Sequence, residues 1–319
     1  MRFVKFFIAT IAIASILFLL SCKKESSTTL KKAVQLFYTM YTDSVVGSID
    51  LEHGSINSVI ANSSNGLSRG VEGIFYYDKN NTLYVADEWS NKILSISLSG
   101  TVTELFNIAD GVSAPTSIAV NPSNNKIYFC NSDTKNILVG NLDGSGTPTP
   151  LFASAKGPDY GYGLILDPDR NKLYFSEFGY GSSDPRNGIY VANLDGSGDT
   201  TVLYRNIDAT TGLTYPSGIA IDLSHNKIYW CDERENNIVS ANLDGSGGFT
   251  TLFDNATDGV NRADGLAIDL TSGKIYWTET KSGYERIRYG NIDGSGTPAT
   301  LLDGTATSSE SYCITLRLE

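Results

Sequence analysis

Acid–base chemistry near neutral pH most often uses histidine, and this chain of 319 residues has two, His53 and His225. They stand in short turn-like segments, "DLEHG" and "DLSHNK", with no second His or Cys close by to complete a zinc set. Serine is abundant but lacks a base at a telling spacing, so a Ser-His-Asp hydrolase has no support. Carboxylates remain. A divalent cation such as calcium would need the fold to bring several of them together before it could serve a metal-dependent hydrolysis. A second candidate is "NLDGSG", written at Asn141, Asn193 and Asn242 and again as "NIDGSG" at Asn291. A phosphate loop would need a helix N-terminus after it, and a strand-like run follows instead. A calcium loop would need more oxygens than one Asp per copy supplies. Asp-Gly between apolar runs is a strong hairpin signal, and that is the reading adopted.

The hexapeptide belongs to a longer unit. Its Asp recurs at 143, 195, 244 and 293, steps of 52, 49 and 50. Upstream of each copy stands "NKIYFCN", "NKLYFSE", "NKIYWCD" or "GKIYWTE", and before that "TSIAVNP", "YGLILDP", "SGIAIDL" or "DGLAIDL". Each unit therefore reads as four short strands: a small, doubly buried one, an aromatic one, and two that alternate. Four-stranded antiparallel units at this period point to a β-propeller.

The segments "NKIYWCDERENNIVSANLDGSG" and "GKIYWTETKSGYERIRYGNIDGSG" resemble low-density lipoprotein receptor class B repeats, the YWTD repeats. The resemblance is strong across 115–303 and implies a six-bladed propeller. The tetrads here are Tyr128-Phe129-Cys130-Asn131, Tyr174-Phe175-Ser176-Glu177, Tyr229-Trp230-Cys231-Asp232 and Tyr276-Trp277-Thr278-Glu279. The family's aromatics pack between blades and its Asp ties loops together, so Glu or Asn in three copies implies relaxed packing. Five units begin near Glu72, Thr116, Tyr162, Ser217 and Asp264. A degenerate tetrad, Met40-Tyr41-Thr42-Asp43, and the final "SYCITLRLE" are expected to form a sixth blade closed by both termini. The expected fold is all-β: a six-bladed propeller over 35–319.

Chain direction places the repetitive turns on one face and the irregular loops on the other, and function concentrates on such loops. Trp89, Tyr160, Tyr162, Phe178, Tyr180, Arg186, Tyr215 and Tyr284 belong to the irregular face, where aromatics beside Arg and Asp suit a protein or carbohydrate partner. Loops that merely pack over the blades would look the same. The inner strands start with Glu72, Thr116, Tyr162, Ser217, Asp264 and Tyr312 around a central channel. Six-bladed enzymes resembling gluconolactonase hold a divalent metal there, and "VEG" and "ADG" echo two of those positions.

At the N-terminus, Arg2 and Lys5 precede the apolar run Phe6–Leu20, and "LLSC" resembles the lipobox of bacterial lipoproteins. The expectation is a signal peptide at 1–21, lipidation at Cys22 and a polar tether over 22–34. The protein would then be lipid-anchored in a bacterial cell envelope, on the outer rather than the inner membrane. Residues 35–319 hold 18 Lys+Arg against 34 Asp+Glu, a formal −16, which argues against a nucleic-acid partner. Cys130, Cys231 and Cys313 lie in strand-like runs and read as buried thiols. The expected function is a membrane-anchored binding platform without a cofactor. The alternative is a metal-dependent, lactonase-like or other hydrolase working in the channel.

Overall fold

The computed structural model describes residues 31–152, 161–179, 184–205, 213–281, 285–304 and 311–319. Twenty-four strands form six antiparallel sheets of four. Five blades take their strands in chain order, beginning with Val71–Tyr77, Pro115–Asn121, Gly161–Asp167, Pro216–Asp222 and Ala263–Asp269. The sixth takes its innermost strand, Ser311–Leu318, from the C-terminus and its other three, Ala33–Met40, Val45–Asp50 and Ser55–Ala61, from the N-terminal side. Each inner strand contacts the next around a closed ring, with Ser311–Leu318 touching both Ala263–Asp269 and Val71–Tyr77. Closure leaves no inner sheet edge open to a second chain. Among the described residues, helix is confined to single turns such as Asn255–Asp258.

Aromatic side chains fill the wedges between blades. Tyr128 packs with Leu164, Leu173 and Phe175 of the following blade. Tyr174 joins Ile219, Ile228 and Trp230 of the next, and Tyr229 joins Leu266, Ile275 and Trp277. Tyr276 meets Leu36, Tyr38 and Ile314 of the closing blade. Trp230 and Trp277 are fully buried. The tetrad thus sends its first aromatic to one neighbour and its second to the other, because alternate strand residues point to opposite faces.

The short turns behave as their sequences require. Asn81, Asn125, Asn171 and Asn226 sit at φ 51°, 53°, 53° and 54°, the left-handed region that Asn tolerates. In the hexapeptide at Asn141, Asp143 Oδ1 accepts from the Ser145 N–H at 3.0 Å, while Asn141 Nδ2 donates to the Ser145 carbonyl at 2.8 Å. Gly144 and Gly146 take φ 77° and 71°. The copies at Asn193, Asn242 and Asn291 repeat this bonding. These are hairpin turns.

The degenerate tetrad lies three residues earlier than its sequence suggests. Tyr38 pairs with Ile314 and Met40 with Ser311, as Phe129 pairs with Ile118 and Asn131 with Pro115. The tetrad of the closing blade is therefore Phe37-Tyr38-Thr39-Met40, and Tyr41-Thr42-Asp43 begins a turn. The Tyr and Asp of "MYTD" mimic the motif by composition. Both faces of Ala33–Met40 are buried, and the register is fixed by which wedge each side chain fills. Phe37 packs with Val71 and Tyr76, Leu36 and Tyr38 with Tyr276 and Ile314, and a shift by an odd number of residues would exchange them.

Candidate functional site

Every inner strand enters the channel mouth through a bulge. Val71 pairs with Asp87, but the next pair is Ile74 with Val85, so one extra inner-strand residue is accommodated. The same kind of step occurs after Pro115, Gly161, Pro216 and Ala263. Bulges re-aim side chains. Here the residues concerned are Glu72, Thr116, Tyr162, Ser217 and Asp264, with Tyr312 at the corresponding position of the sixth strand. The residue that follows is often glycine, because the strands converge. A Cβ on Gly218 would lie 2.4 Å from the Asp264 carbonyl oxygen, and one on Gly163 would lie 2.5 Å from that of Ser217.

The hydroxyls of this ring stitch blades together. Thr116 Oγ1 donates to the Gly161 carbonyl at 2.6 Å, and Ser217 Oγ donates to that of Asp264 at 3.1 Å. Ser176 Oγ reaches the Ser217 carbonyl at 2.6 Å, and Thr39 Oγ1 reaches that of Glu72 at 2.9 Å. Both carboxylates are buried, Glu72 at 5% exposure and Asp264 at 7%. No hydrogen-bond donor meets the Glu72 carboxyl among the described residues. Burial, and the negative charges of Glu88, Asp264 and Glu233, push it well above the ordinary carboxylate range. Burial and these four acids together hold the Tyr162 phenol well above its usual value.

Glu88 and Glu233 form part of an outer ring that sequence reading missed. In four blades the residue after the tetrad donates its N–H to the carbonyl just before the inner strand. Glu88 does so to Gly70 at 2.8 Å, Ser132 to Ala114 at 3.0 Å, Glu233 to Tyr215 at 3.0 Å and Thr280 to Arg262 at 3.0 Å. Tyr41 and Phe178 occupy the same place after Met40 and Glu177. The signal was present: each of these residues directly follows a tetrad and opens an irregular loop.

Aromatic candidates gather on this rim. Tyr162 and Phe178 lie 4.2 Å apart between ring centroids, and Phe178 and Tyr215 5.0 Å. Arg234 stands 5.6 Å over the Tyr215 ring. Trp89, 60% exposed, meets Tyr41 edge-on at 5.8 Å, and its Nε1 donates to the Tyr41 hydroxyl at 2.6 Å. That hydroxyl in turn donates to Glu88 Oε2. Arg186 is drawn back onto Asp184, with Nη2 2.7 Å from Oδ2. Arg262 Nε donates to Glu233 Oε1 at 2.7 Å. Tyr160, Tyr180, Tyr284 and Cys22 lie outside the described residues. His53 and His225 pair with Asp50 and Asp222 at 2.9 and 2.6 Å on the short-turn face.

Among the described residues no three His, Cys, Asp or Glu side chains come together as a metal-binding group. Two carboxylates, with the neighbouring Thr116 and Ser217 hydroxyls bonded to backbone, would leave most positions around a divalent cation to water or substrate. The inner strands also line a cavity of about 440 Å³, with Tyr162 at its edge and Ile118, Leu164, Ile219, Leu266 and Ile314 along its walls.

A family model described as the SMP-30/gluconolactonase/LRE-like region matches residues 70–295. No curated protein matches the sequence. Among solved structures, a chain of a nidogen/laminin complex superposes with a TM-score of 0.73 at 18% identity, over 88% of this chain and 97% of that one. A TolB-like protein from Agrobacterium tumefaciens gives 0.59 at 14%, over 90% and 98%. A gluconolactonase from Xanthomonas campestris gives 0.58 at 16%, over 78% and 85%. At such identities these likenesses concern the fold. The match over 70–295 spans most of the chain and most of the ring: this protein belongs to the SMP-30/gluconolactonase/LRE-like family.

Proposed function

We propose that the chain is a ligand-binding propeller of YWTD type, which recognises a protein or carbohydrate partner at the channel mouth and its irregular-loop rim. One observation carries this reading: Tyr162, Phe178 and Tyr215 pack ring to ring at the mouth, while Thr116 and Ser217 spend their hydroxyls on blade-to-blade bonds and leave a cation no more than the Glu72 and Asp264 carboxylates from the starts of the inner strands. Beside that pair stands a rim of half-exposed aromatics of the kind enriched at interfaces. The fold likeness to a chain from a nidogen/laminin complex is in keeping with a role in assembly. To test it, a photo-crosslinking residue is placed at Trp89 on the rim or at Asn124 on the short-turn face, in the native host. A discrete product from position 89 alone is expected. Products from position 124 alone would overturn the reading.

Family membership favours a second reading, lactone hydrolysis at Glu72 and Asp264. A panel of lactones and esters, with calcium, magnesium, manganese or zinc added, separates the two. Turnover lost in both Glu72→Gln and Asp264→Asn would establish the second.

The proposal extends to location. Lipidation at Cys22 would hold the propeller at the envelope membrane; no helix among the described residues is long and apolar enough to cross one. Cys22→Ser should release the protein into the soluble fraction, and a variant that stays with the membrane would remove the lipid anchor from the proposal.

A further inference from the structure

The Glu72 carboxyl stands at the mouth with like charges around it. It is 5% exposed, it lies on the bulge that enters the channel, and no donor reaches it among the described residues. Desolvation and like charges both disfavour its ionised form, and a cation seated opposite it would relieve both. The charges that face it are Glu88, Asp264 and Glu233, all of the same sign. Three of the rim's cations are engaged elsewhere: Arg262 on Glu233, Arg186 on Asp184, and Arg234 over Tyr215.

Two features narrow what could bind. A divalent ion would have to bring most of its ligands as water, with two inner-ring carboxylates to hold it. A single positive charge on an alkyl stem meets what is present: carboxylates at the inner ring for the charge, and the faces of Tyr162 and Phe178 for the stem and for cation–π attraction. The negative charge of the propeller as a whole, −16 over residues 35–319, would attract a cation to the molecule.

We propose that the channel mouth is a socket for one primary alkylammonium group, the side chain of a lysine presented by the partner, seated between Glu72 and Asp264 with its methylenes against Tyr162 and Phe178. This rests on the ligand-binding reading given above and supplies the chemistry by which the partner is recognised.

The test uses n-butylammonium chloride as probe and butan-1-ol as its uncharged counterpart, with binding to the purified protein followed by saturation-transfer NMR. Saturable binding of the ammonium and not the alcohol is expected. It should weaken about tenfold, a loss near 1.4 kcal/mol, in Glu72→Gln and in Asp264→Asn. Asp143→Asn, on the short-turn face, should leave it unchanged. Circular dichroism establishes that each variant is folded. Equal binding of alcohol and ammonium, or ammonium binding indifferent to both mouth substitutions, would overturn the socket. Failure of the underlying reading looks different: it would appear as lactone turnover, or as crosslinks confined to the other face.

Discussion

Asp232 holds Thr214 by two bonds: the Thr214 N–H donates to Oδ2 at 2.7 Å and its hydroxyl to Oδ1 at 3.0 Å. Oδ1 also accepts the N–H groups of Tyr215 and Glu235, each at 3.1 Å. One fully buried carboxylate thereby fixes the loop that enters its blade and the turn that leaves its second strand. Asp87 does the same for Ser68 and Ser90, and Asn131 for Ser113.

Asp232→Ala would strand several buried donors. The expected loss is about 2–4 kcal/mol in urea unfolding, with Asp232→Asn milder because an amide oxygen still accepts. Equal stability of the alanine variant would show that the loops hold themselves.

At Glu279 the tetrad's carboxylate has moved outward by a methylene, and the sequence suggested looser packing there. The structure shows another solution. Glu279 Oε1 lies 3.1 Å from Arg288 Nη1 and Oε2 2.5 Å from Arg286 Nη2, with Glu279 fully buried and Arg288 stacked 5.6 Å over Trp277. Removing one partner leaves uncompensated buried charge, so Glu279→Gln should cost about 3–5 kcal/mol. In a double-mutant cycle, Glu279→Gln with Arg288→Met should cost less than the two single changes added together. Simple additivity would mean that the pair does not interact.

Glu177 stands at the corresponding place in another blade, and burial together with Asp184 raises its carboxyl to about 7. An acid raised above its unfolded value is protonated more readily in the folded chain. Its unfavourable contribution is therefore absent below about pH 4.5, grows between about 4.5 and 7, and is complete above 7. Glu177→Gln should flatten that part of the stability profile and stabilise the protein at pH 8 by roughly 1–3 kcal/mol. An unchanged profile in denaturant titrations across this range would show that the group titrates alike in both states.

These cases show what the sequence made legible. The period, the Asn-Lys turns and the Asp-Gly hairpins determine local geometry, so blade number and strand order could be read before any coordinates. Glu72 and Asp264 were visible because "VEG" and "ADG" occupy the same slot of the unit. Glu88 and Glu233 were not, since nothing local distinguishes an acid at a loop start from an ordinary solvated one; the ring brings them to the mouth. The pairing of Arg286 and Arg288 with Glu279 was hidden for a similar reason. It joins facing strands, and no periodicity records which basic residue turns inward.

Convergence of the inner strands makes its own prediction. Gly218→Ala would drive a Cβ to within 2.4 Å of the Asp264 carbonyl oxygen and 2.7 Å of the Leu266 nitrogen, both backbone atoms that cannot step aside. Overpacking of this kind costs typically about 1–3 kcal/mol, and here it would also spread the mouth that carries Asp264. Gly248→Ala, with nothing within 4 Å of the added atom, is the control and should be neutral.

The final prediction concerns the closing strand. Ser311–Leu318 supplies the innermost strand of a blade whose other three come from the opposite end of the chain, and it bonds Ala33–Met40 from Ala33↔Leu318 to Met40↔Ser311. Its backbone also bridges to Lys32 through reciprocal bonds with Glu319, each 2.8 Å. Without it, Leu36 and Tyr38 lose Ile314 from their cluster, and the strand edge of Ala33–Met40 is exposed along the channel. A chain that stops just before Ser311 should therefore associate or lose its cooperative unfolding. Adding the peptide 311–319 in excess should restore the monomer by pairing at the vacated edge. Sedimentation of the truncated protein, with and without the peptide, checks both expectations. A stable monomer that unfolds at the parent's midpoint would show that ring closure contributes little to holding the six blades together.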